Sequence, residues 1–253
     1  MKHYIITFFL SCCVFCSLNA QTPLSEIAQQ ADSAYTNEDY ATAIDLYLQT
    51  TNESQDAHLY YNLANAYFRT DSLAKAILWY ERALKLEPGN EDIRFNLEFT
   101  RSRTIDRITP RHEMFFISFW RSLVYSMSLD SWAHWAFGCF ILMIAMVLAF
   151  LYLHHLTLRK ICFVLAILFF LSTLFTNLCA YGQQYITEHR TGAVVIASSV
   201  TLKSTPSASG NDLFVLHEGT TVEIKDNSMK EWAEVSIADG KVGWMPKSAL
   251  EII

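Results

Sequence analysis

The chain has 253 residues, 52% of them hydrophobic, and 25 acidic against 19 basic side chains give a net charge of −6. That balance excludes nucleic acid as a partner, since binding phosphates takes clustered positive charge. The six cysteines, Cys12, Cys13, Cys16, Cys139, Cys162 and Cys179, all lie in apolar runs, so the polar parts of the chain hold no disulfide framework, thiolate metal site or cysteine nucleophile.

Residues 1–20 read as a secretory signal peptide: Met1-Lys2-His3 is a short basic start, residues 4–18 are apolar, and Ala20 is a small residue before Gln21. A lipoprotein leader would need a small residue before its acceptor cysteine, and Cys16 follows Phe15. Cleaved or retained, this segment sends the chain from Gln21 onward across a membrane.

Residues 24–103 show helical spacing. Tyr60, Leu63, Ala64 and Tyr67, then Ala76, Tyr80 and Ala83, mark two amphipathic helices that turn at Asp71-Ser72 and stop at Pro88-Gly89. The alanines allow close helix approach, and the larger residues fill the space around them. This pattern resembles the tetratricopeptide repeat at its signature positions, with Ala64 for the usual Gly. Sliding back 33 residues gives a degenerate earlier copy, in which Ala43 answers to Ala76 and Tyr47 to Tyr80. After the capping Asn90, Ile93 and Leu97 head a further solvating helix, for five in all. The resemblance implies a groove lined by Asp32 and Tyr35, by Tyr61, Asn62, Asn65, Phe68 and Arg69, and by Asn96. Asparagine amides can bridge the N–H and C=O groups of an extended peptide, so Tyr61, Asn62, Asn65, Phe68, Arg69 and Asn96 are the candidate partner-binding residues; alternatively the asparagines are ordinary solvent-facing residues. The carboxylate clamp of the family uses two groove lysines where this chain has Tyr61 and Asp92, so a free C-terminus is not the expected ligand. Arg94, Arg101, Arg103, Arg107 and Arg111 follow, either as a solvated helix face or as contacts to anionic lipid headgroups.

Residues 104–131 form a linker. Within it, residues 114–127 are rich in aromatics with the single charge Arg121, and form either an amphipathic helix in the headgroup region or a final helix against the repeat domain. Asp130-Ser131 is the expected cap of the next helix. Uncharged runs over 135–153 and 161–181 hold 19 and 21 residues, each enough at about 1.5 Å per residue to cross the ~30 Å core of a bilayer. The spans are therefore placed at 132–154 and 161–182, with a cytoplasmic loop over 155–160 that carries Arg159 and Lys160. Both soluble arms then face the periplasm from the inner membrane, divided by the hairpin and expected to hold separately on independent cores. Asn177, polar at membrane depth, is a candidate for bonding across to the first span.

Residues 191–253 turn to short alternating runs punctuated by Thr205-Pro206, Glu218-Gly219, Asp226-Asn227 and Asp239-Gly240, which predicts five or six strands in a small barrel. This stretch resembles the bacterial SH3 domain, through Val200-Thr201-Leu202-Lys203-Ser204-Thr205-Pro206, Leu216-His217-Glu218-Gly219, Trp232 and Asp239-Gly240-Lys241-Val242-Gly243-Trp244, with Lys203 for the usual Arg and Thr205 for the usual Gly. Trp232 and Trp244 are read as core or half-buried residues.

The fold class is thus a multidomain membrane protein: an all-α tetratricopeptide-repeat domain, a two-helix transmembrane hairpin and an all-β SH3-like small barrel. That order is similar to the Bacteroides aerotolerance operon protein E family over nearly the whole chain. The resemblance implies a non-enzymatic membrane-anchored scaffold or adaptor that binds other envelope proteins, produced with von Willebrand factor type A membrane proteins and a MoxR-type ATPase. No H-E-x-x-H, G-x-S-x-G or phosphate-cradling glycine loop is present in the sequence, and no cofactor is called for. The competing reading is a cell-wall or peptide sensor that signals through the hairpin.

Overall fold

The structure, a computed structural model, describes residues 23–109, 114–188 and 191–253. The signal-peptide reading and Arg111 lie outside the described residues.

Five helices, α1 (Pro23–Thr36), α2 (Tyr40–Thr51), α3 (Ala57–Arg69), α4 (Leu73–Leu86) and α5 (Glu91–Arg101), pack each on the next. Their starts are set by short acceptor side chains. Asp39 accepts from the Thr42 N–H, Asp56 from Leu59 and Asn90 from Asp92 and Ile93, each satisfying donors that a first helical turn leaves open. The 33-residue slide holds at the backbone as well. Glu38 and Asp71, both at positive φ, end α1 and α3 in the same turn: Asp39 N–H bonds Ala34 C=O, and Ser72 N–H bonds Tyr67 C=O, both at 3.0 Å. A left-handed non-glycine residue costs about 1–2 kcal/mol, which the repeated pair of turn hydrogen bonds helps to offset. The small residues sit where the helices cross: Ala31, Ala43, Ala64, Ala76 and Ala83 are wholly buried, around buried Tyr47, Leu63, Ile77 and Tyr80.

Two long apolar helices follow a short one. α6 (Phe115–Val124) leads to α7 (Leu129–Tyr152, 24 residues) and α8 (Leu156–Glu188, 33 residues), which pack side by side with Trp132 against Phe175 and Phe150 against Phe163. Both are long and apolar enough to cross a membrane, and most of their large side chains point outward. Four details depart from expectation. Ser128, not Asp130-Ser131, caps α7, because its extended backbone lets its hydroxyl accept from the Ser131 N–H. Residues 156–160 are already helical, since none of Leu156, Thr157, Leu158, Arg159 and Lys160 breaks a helix and the Arg159 guanidinium stacks on Phe150 at 4.9 Å; only Leu153 to His155 lie outside the helices. The Asn177 amide donates to its own helix, at the Thr173 carbonyl (2.8 Å), rather than across to α7. And α6 lies on α8, where Trp120 and Val124 meet Gly182 closely enough that a Cβ there would come within 3.3 Å of the indole. The buried Trp132 donates its N–H to Val124 C=O (3.1 Å), which ties the end of α6 to the start of α7.

The C-terminal part is a seven-stranded antiparallel sheet in the order β3-β2-β6-β5-β4-β1-β7. Its strands are β1 (Gly192–Val195), β2 (Ser199–Lys203), β3 (Asp212–His217), β4 (Thr221–Asp226), β5 (Trp232–Ser236), β6 (Val242–Pro246) and β7 (Leu250–Ile252). Leu202, Val195, Ala233, Val235 and Met245 form its centre. Gly240, at φ +91, closes the β5–β6 hairpin with the Asp239 carboxylate accepting from Lys241 N–H, as the Asp-Gly pair predicts. Trp232 and Trp244 are half-buried. The strand beyond expectation is β7, too short to alternate visibly.

The two soluble arms do not stand apart as expected. Val194 of β1 is wholly buried in the core of the helical arm, with Ile253 packed beside it, and Ile108 packs in turn against the core of the sheet. Residues 104–109, read as the start of a linker, instead run along the sheet. There the Asp106 carboxylate accepts from His217 N–H (2.7 Å), from the Thr220 hydroxyl (2.7 Å) and meets His217 Nδ1 (2.8 Å). Arg82 donates to Ile252 C=O (2.6 Å) and pairs with Glu251 (3.3 Å), and Arg101 reaches Thr221 (3.1 Å) while paired with the buried Glu81. Gly219, at φ +84 and facing Ile77 and Thr104, lets the barrel come this close. The hairpin brings the chain back to the side it left, so the surfaces that it separates in sequence can meet in space.

Candidate functional site

All six candidate residues belong to one face, shared by α1, α3 and α5, and three of them, Tyr61, Asn65 and Asn96, are bonded to one another. Two hydrogen-bonded nodes repeat down this face. In the first copy the Tyr47 hydroxyl donates to Asp32 (2.5 Å), which also accepts from the Asn62 amide (3.2 Å). In the second, Tyr80 donates to the Asn65 carbonyl oxygen (2.5 Å), and the Asn96 amide reaches the same oxygen (3.4 Å) and the Tyr61 hydroxyl (2.8 Å). Each tyrosine lies 15 residues after its acceptor, so the same rung occurs twice, with a carboxylate in one copy and an amide in the other. Burial, with contact to Asp32, pushes the Tyr47 hydroxyl well above its ordinary value; burial, with the neighbouring Tyr61 and Tyr35 hydroxyls, does the same for Tyr80. Both therefore stay protonated and act as donors.

Aromatic rings and cations frame this ladder. Arg69 stacks over Tyr40 at 4.9 Å; burial raises the Tyr35 hydroxyl above its usual range, and Arg69, bonded to it, pulls in the opposite direction. Phe68 packs at 5.8 Å from Phe99, which lies parallel to Phe95, and Arg103 covers both Phe68 and Phe99 at 5.3 and 6.0 Å. Phe95 is 69% exposed and Phe99 49%, an apolar pair on an otherwise polar edge. Spacing alone missed Phe95 and Arg103. Helical position next to Asn96 was the available signal for Phe95, but the family pattern had drawn attention to Asn96 alone. The asparagines are neither idle solvent-facing residues nor fully free: Asn65 has its carbonyl oxygen occupied, which aims its N–H donors, while Asn62 and Asn96 spend a donor on neighbours. An amide held this way binds a peptide backbone with less ordering cost than a mobile one.

Residues 29–91 match the tetratricopeptide repeat family, and residues 198–251 match the bacterial SH3 domain. No curated protein matches the chain. Both modules are of a kind that serves interaction rather than catalysis, in binding other proteins or cell-wall material. The chain therefore joins two interaction modules to a pair of long apolar helices.

Proposed function

We propose that this protein is a non-enzymatic, membrane-anchored adaptor that holds an extended segment of another envelope protein on the α1–α3–α5 face of its repeat domain. The observation that carries the reading is the ladder itself: oriented amides at Asn62, Asn65 and Asn96 run beside Tyr61, Phe68 and Arg69, with Phe95 and Phe99 exposed at its end. Amides take the backbone of a bound strand and the aromatic pair takes one of its apolar side chains. The membrane anchor is supported by the outward apolar side chains of α7 and α8, which water would not tolerate over this length. Arg159 and Lys160 beside the connector support an orientation with that end in the cytoplasm and both arms in the periplasm, at the inner membrane. The domain order supports a place in an aerotolerance or stress-related assembly with von Willebrand factor type A membrane proteins and a MoxR-type ATPase.

Site-specific photo-crosslinkers introduced at Asn62, Phe99 and Val215 of the full chain in cells test the face. Adducts to one envelope protein are expected from Asn62 and Phe99 and not from Val215, which lies on the exposed side of the sheet. Adducts from Val215 alone would move recognition to the barrel. Alkaline phosphatase fused after Ile253 should be active and fused after His155 inactive; the reverse pattern refutes the orientation.

A further inference from the structure

The short helix α6 is held at one level of the long pair by two separate contacts. On α8 the uncharged run that starts at Ile161 finishes at Tyr181, and Trp120 and Val124 of α6 pack at the next residue, Gly182. On α7 the uncharged run starts at Trp135, and one turn earlier the Trp132 N–H holds the Val124 C=O (3.1 Å). Both contacts lie at the end away from Arg159 and Lys160. At 1.5 Å per residue Gly182 stands about 35 Å along α8 from Arg159, close to the ~30 Å of a hydrocarbon core. That level is where a bilayer passes from acyl chains to headgroups, a zone that aromatic side chains favour.

The second observation is how α6 divides its surface. Ser118, Arg121, Ser122 and the capping Tyr125, spaced at i, i+3, i+4 and i+7, line a hollow opposite Gly89 and Arg94 of the repeat domain. The Gly89 backbone closes that side: a Cβ there would lie 3.0 Å from Ser126 C=O. Trp120 and Val124 take the side of α8. On a third side Phe115 stacks on Phe119 (6.2 Å) and meets Phe116 edge-on (5.9 Å), and the three remain 74%, 57% and 81% exposed. At about 100° per residue, Phe116 points about 170° from the mean direction of the polar side chains. One helix therefore carries the repeat domain on one side and an aromatic cluster on the opposite side.

We infer that α6 lies along the membrane surface with Phe115, Phe116 and Phe119 inserted among the lipids of the adjoining leaflet, its polar side turned up to the repeat domain. The bilayer is the occupant of the aromatic cluster because the cluster sits at the level where the outward apolar surfaces of α7 and α8 end. Insertion of such a face is driven by the apolar area it buries and does not call for a particular headgroup. With Gly89 seated against Ser126, α6 keeps the repeat domain down on the membrane rather than on a free tether. The inference goes beyond partner binding and rests on the membrane anchor proposed above.

The photo-crosslinking phenylalanine analogue p-benzoylphenylalanine is placed singly at Phe116, Ser122 or Phe170 of the full chain. Each variant is reconstituted in vesicles of phosphatidylethanolamine and phosphatidylglycerol, irradiated, and its adducts are identified by mass. Ser122 faces the repeat domain, and Phe170 is an outward ring in the middle of the second span. Lipid adducts at Phe116 are expected to exceed those at Ser122 at least tenfold and to approach those at Phe170. Lipid at Phe170 with no excess at Phe116 overturns the inference and leaves the anchor standing, whereas no lipid at Phe170 sinks the anchor itself. An adduct from Phe116 to a second copy of the chain, or to another protein when the variant is irradiated in cells, gives the cluster to a protein partner and also overturns the inference. In the same vesicles Phe115→Ser with Phe116→Ser and Phe119→Ser should speed amide exchange over residues 115–125 at least fivefold, with the helical arm unchanged. Leucine at the same three positions should preserve the native rate. A native rate in the serine variant overturns the insertion, and if that variant does not fold, Phe116→Ser alone carries the comparison.

Discussion

The two copies of the repeat share a backbone and differ in what surrounds them. Ala31 and Ala64, Ala43 and Ala76, Tyr47 and Tyr80 are all buried at matching positions, and the same left-handed turn closes both helix pairs. Yet among the described residues the first copy packs chiefly on the second, whereas the second is wedged between the first, α5 and the sheet, with Ile77 against Gly219 and Arg82 against Glu251 and Ile252. Steric demands at helix crossings repeat because geometry repeats. Polar partners do not, because each answers to its own neighbours, so Asp32 stands where Asn65 stands in the second copy.

The largest test of that asymmetry removes the matching rings. Tyr80→Ala should cost about 3–5 kcal/mol and unfold the helical arm together with its contact to the sheet, while Tyr47→Ala should cost less, because an end helix can collapse onto the gap or fray. Thermal unfolding of both variants, with hydrogen exchange to locate the loss, decides it; equal losses would mean that the copies are energetically alike. Next, Asn65→Leu strands the buried Tyr80 hydroxyl and should cost about 1–3 kcal/mol, whereas Asp32→Asn keeps an acceptor for Tyr47 and should stay within about 1 kcal/mol. Denaturant titration measures both, and a larger loss for Asp32→Asn would show that the carboxylate in the first copy matters more than the rung. For this reason alanine at Asn65 is a poor probe of binding.

A more local effect concerns the bond between the second copy's side of the arm and the sheet. Burial works to raise the Asp106 carboxyl, but the hydrogen bonds from His217 and Thr220 outweigh it and hold the group below the usual carboxylate range. A depressed carboxyl contributes stability that is present above its unfolded value, ~3.9, and is lost as pH falls through the lower folded value. Asp106→Asn should therefore weaken the contact by about 1–2 kcal/mol at pH 7 and flatten its acid dependence. Exchange protection of residues 104–108 and 217–220, followed from pH 7 to 3, checks this; an unchanged acid response in the variant would place the titration elsewhere.

How much of this was legible in the sequence varies with the range of the interaction. The repeat offset, the two apolar helices and the Asp-Gly hairpin depend on spacing within a few turns or on run length, which residues display directly. That Tyr61, Asn62, Asn65, Phe68, Arg69 and Asn96 share a side came from the likeness to the repeat family, whose pattern assigns positions to faces. It does not say which of them reach each other, so the bonds of Tyr47 and Tyr80 to Asp32 and Asn65 and the covering of Phe68 by Arg103 stayed hidden. The cap at Ser128 turned on a backbone angle, and the self-bond of Asn177 on the nearness of its own helix carbonyl. The docking of the arms depended on shapes brought together by the hairpin, with more than 100 residues between Asp106 and His217. No local pattern records such a contact.

At 33 residues α8 is about 50 Å long, some 20 Å more than a hydrocarbon core requires. The surplus acts as a shaft, and a shaft transmits phase as well as distance. Each added residue turns everything beyond it by about 100°, so a single insertion after Ala180 would swing Gly182 away from Trp120 and rotate the barrel's approach to the helical arm. An insertion of seven residues, two nearly whole turns, would restore the bearing while lifting the barrel by about 10 Å. The length of this helix thus fixes the azimuth at which the two interaction modules can meet.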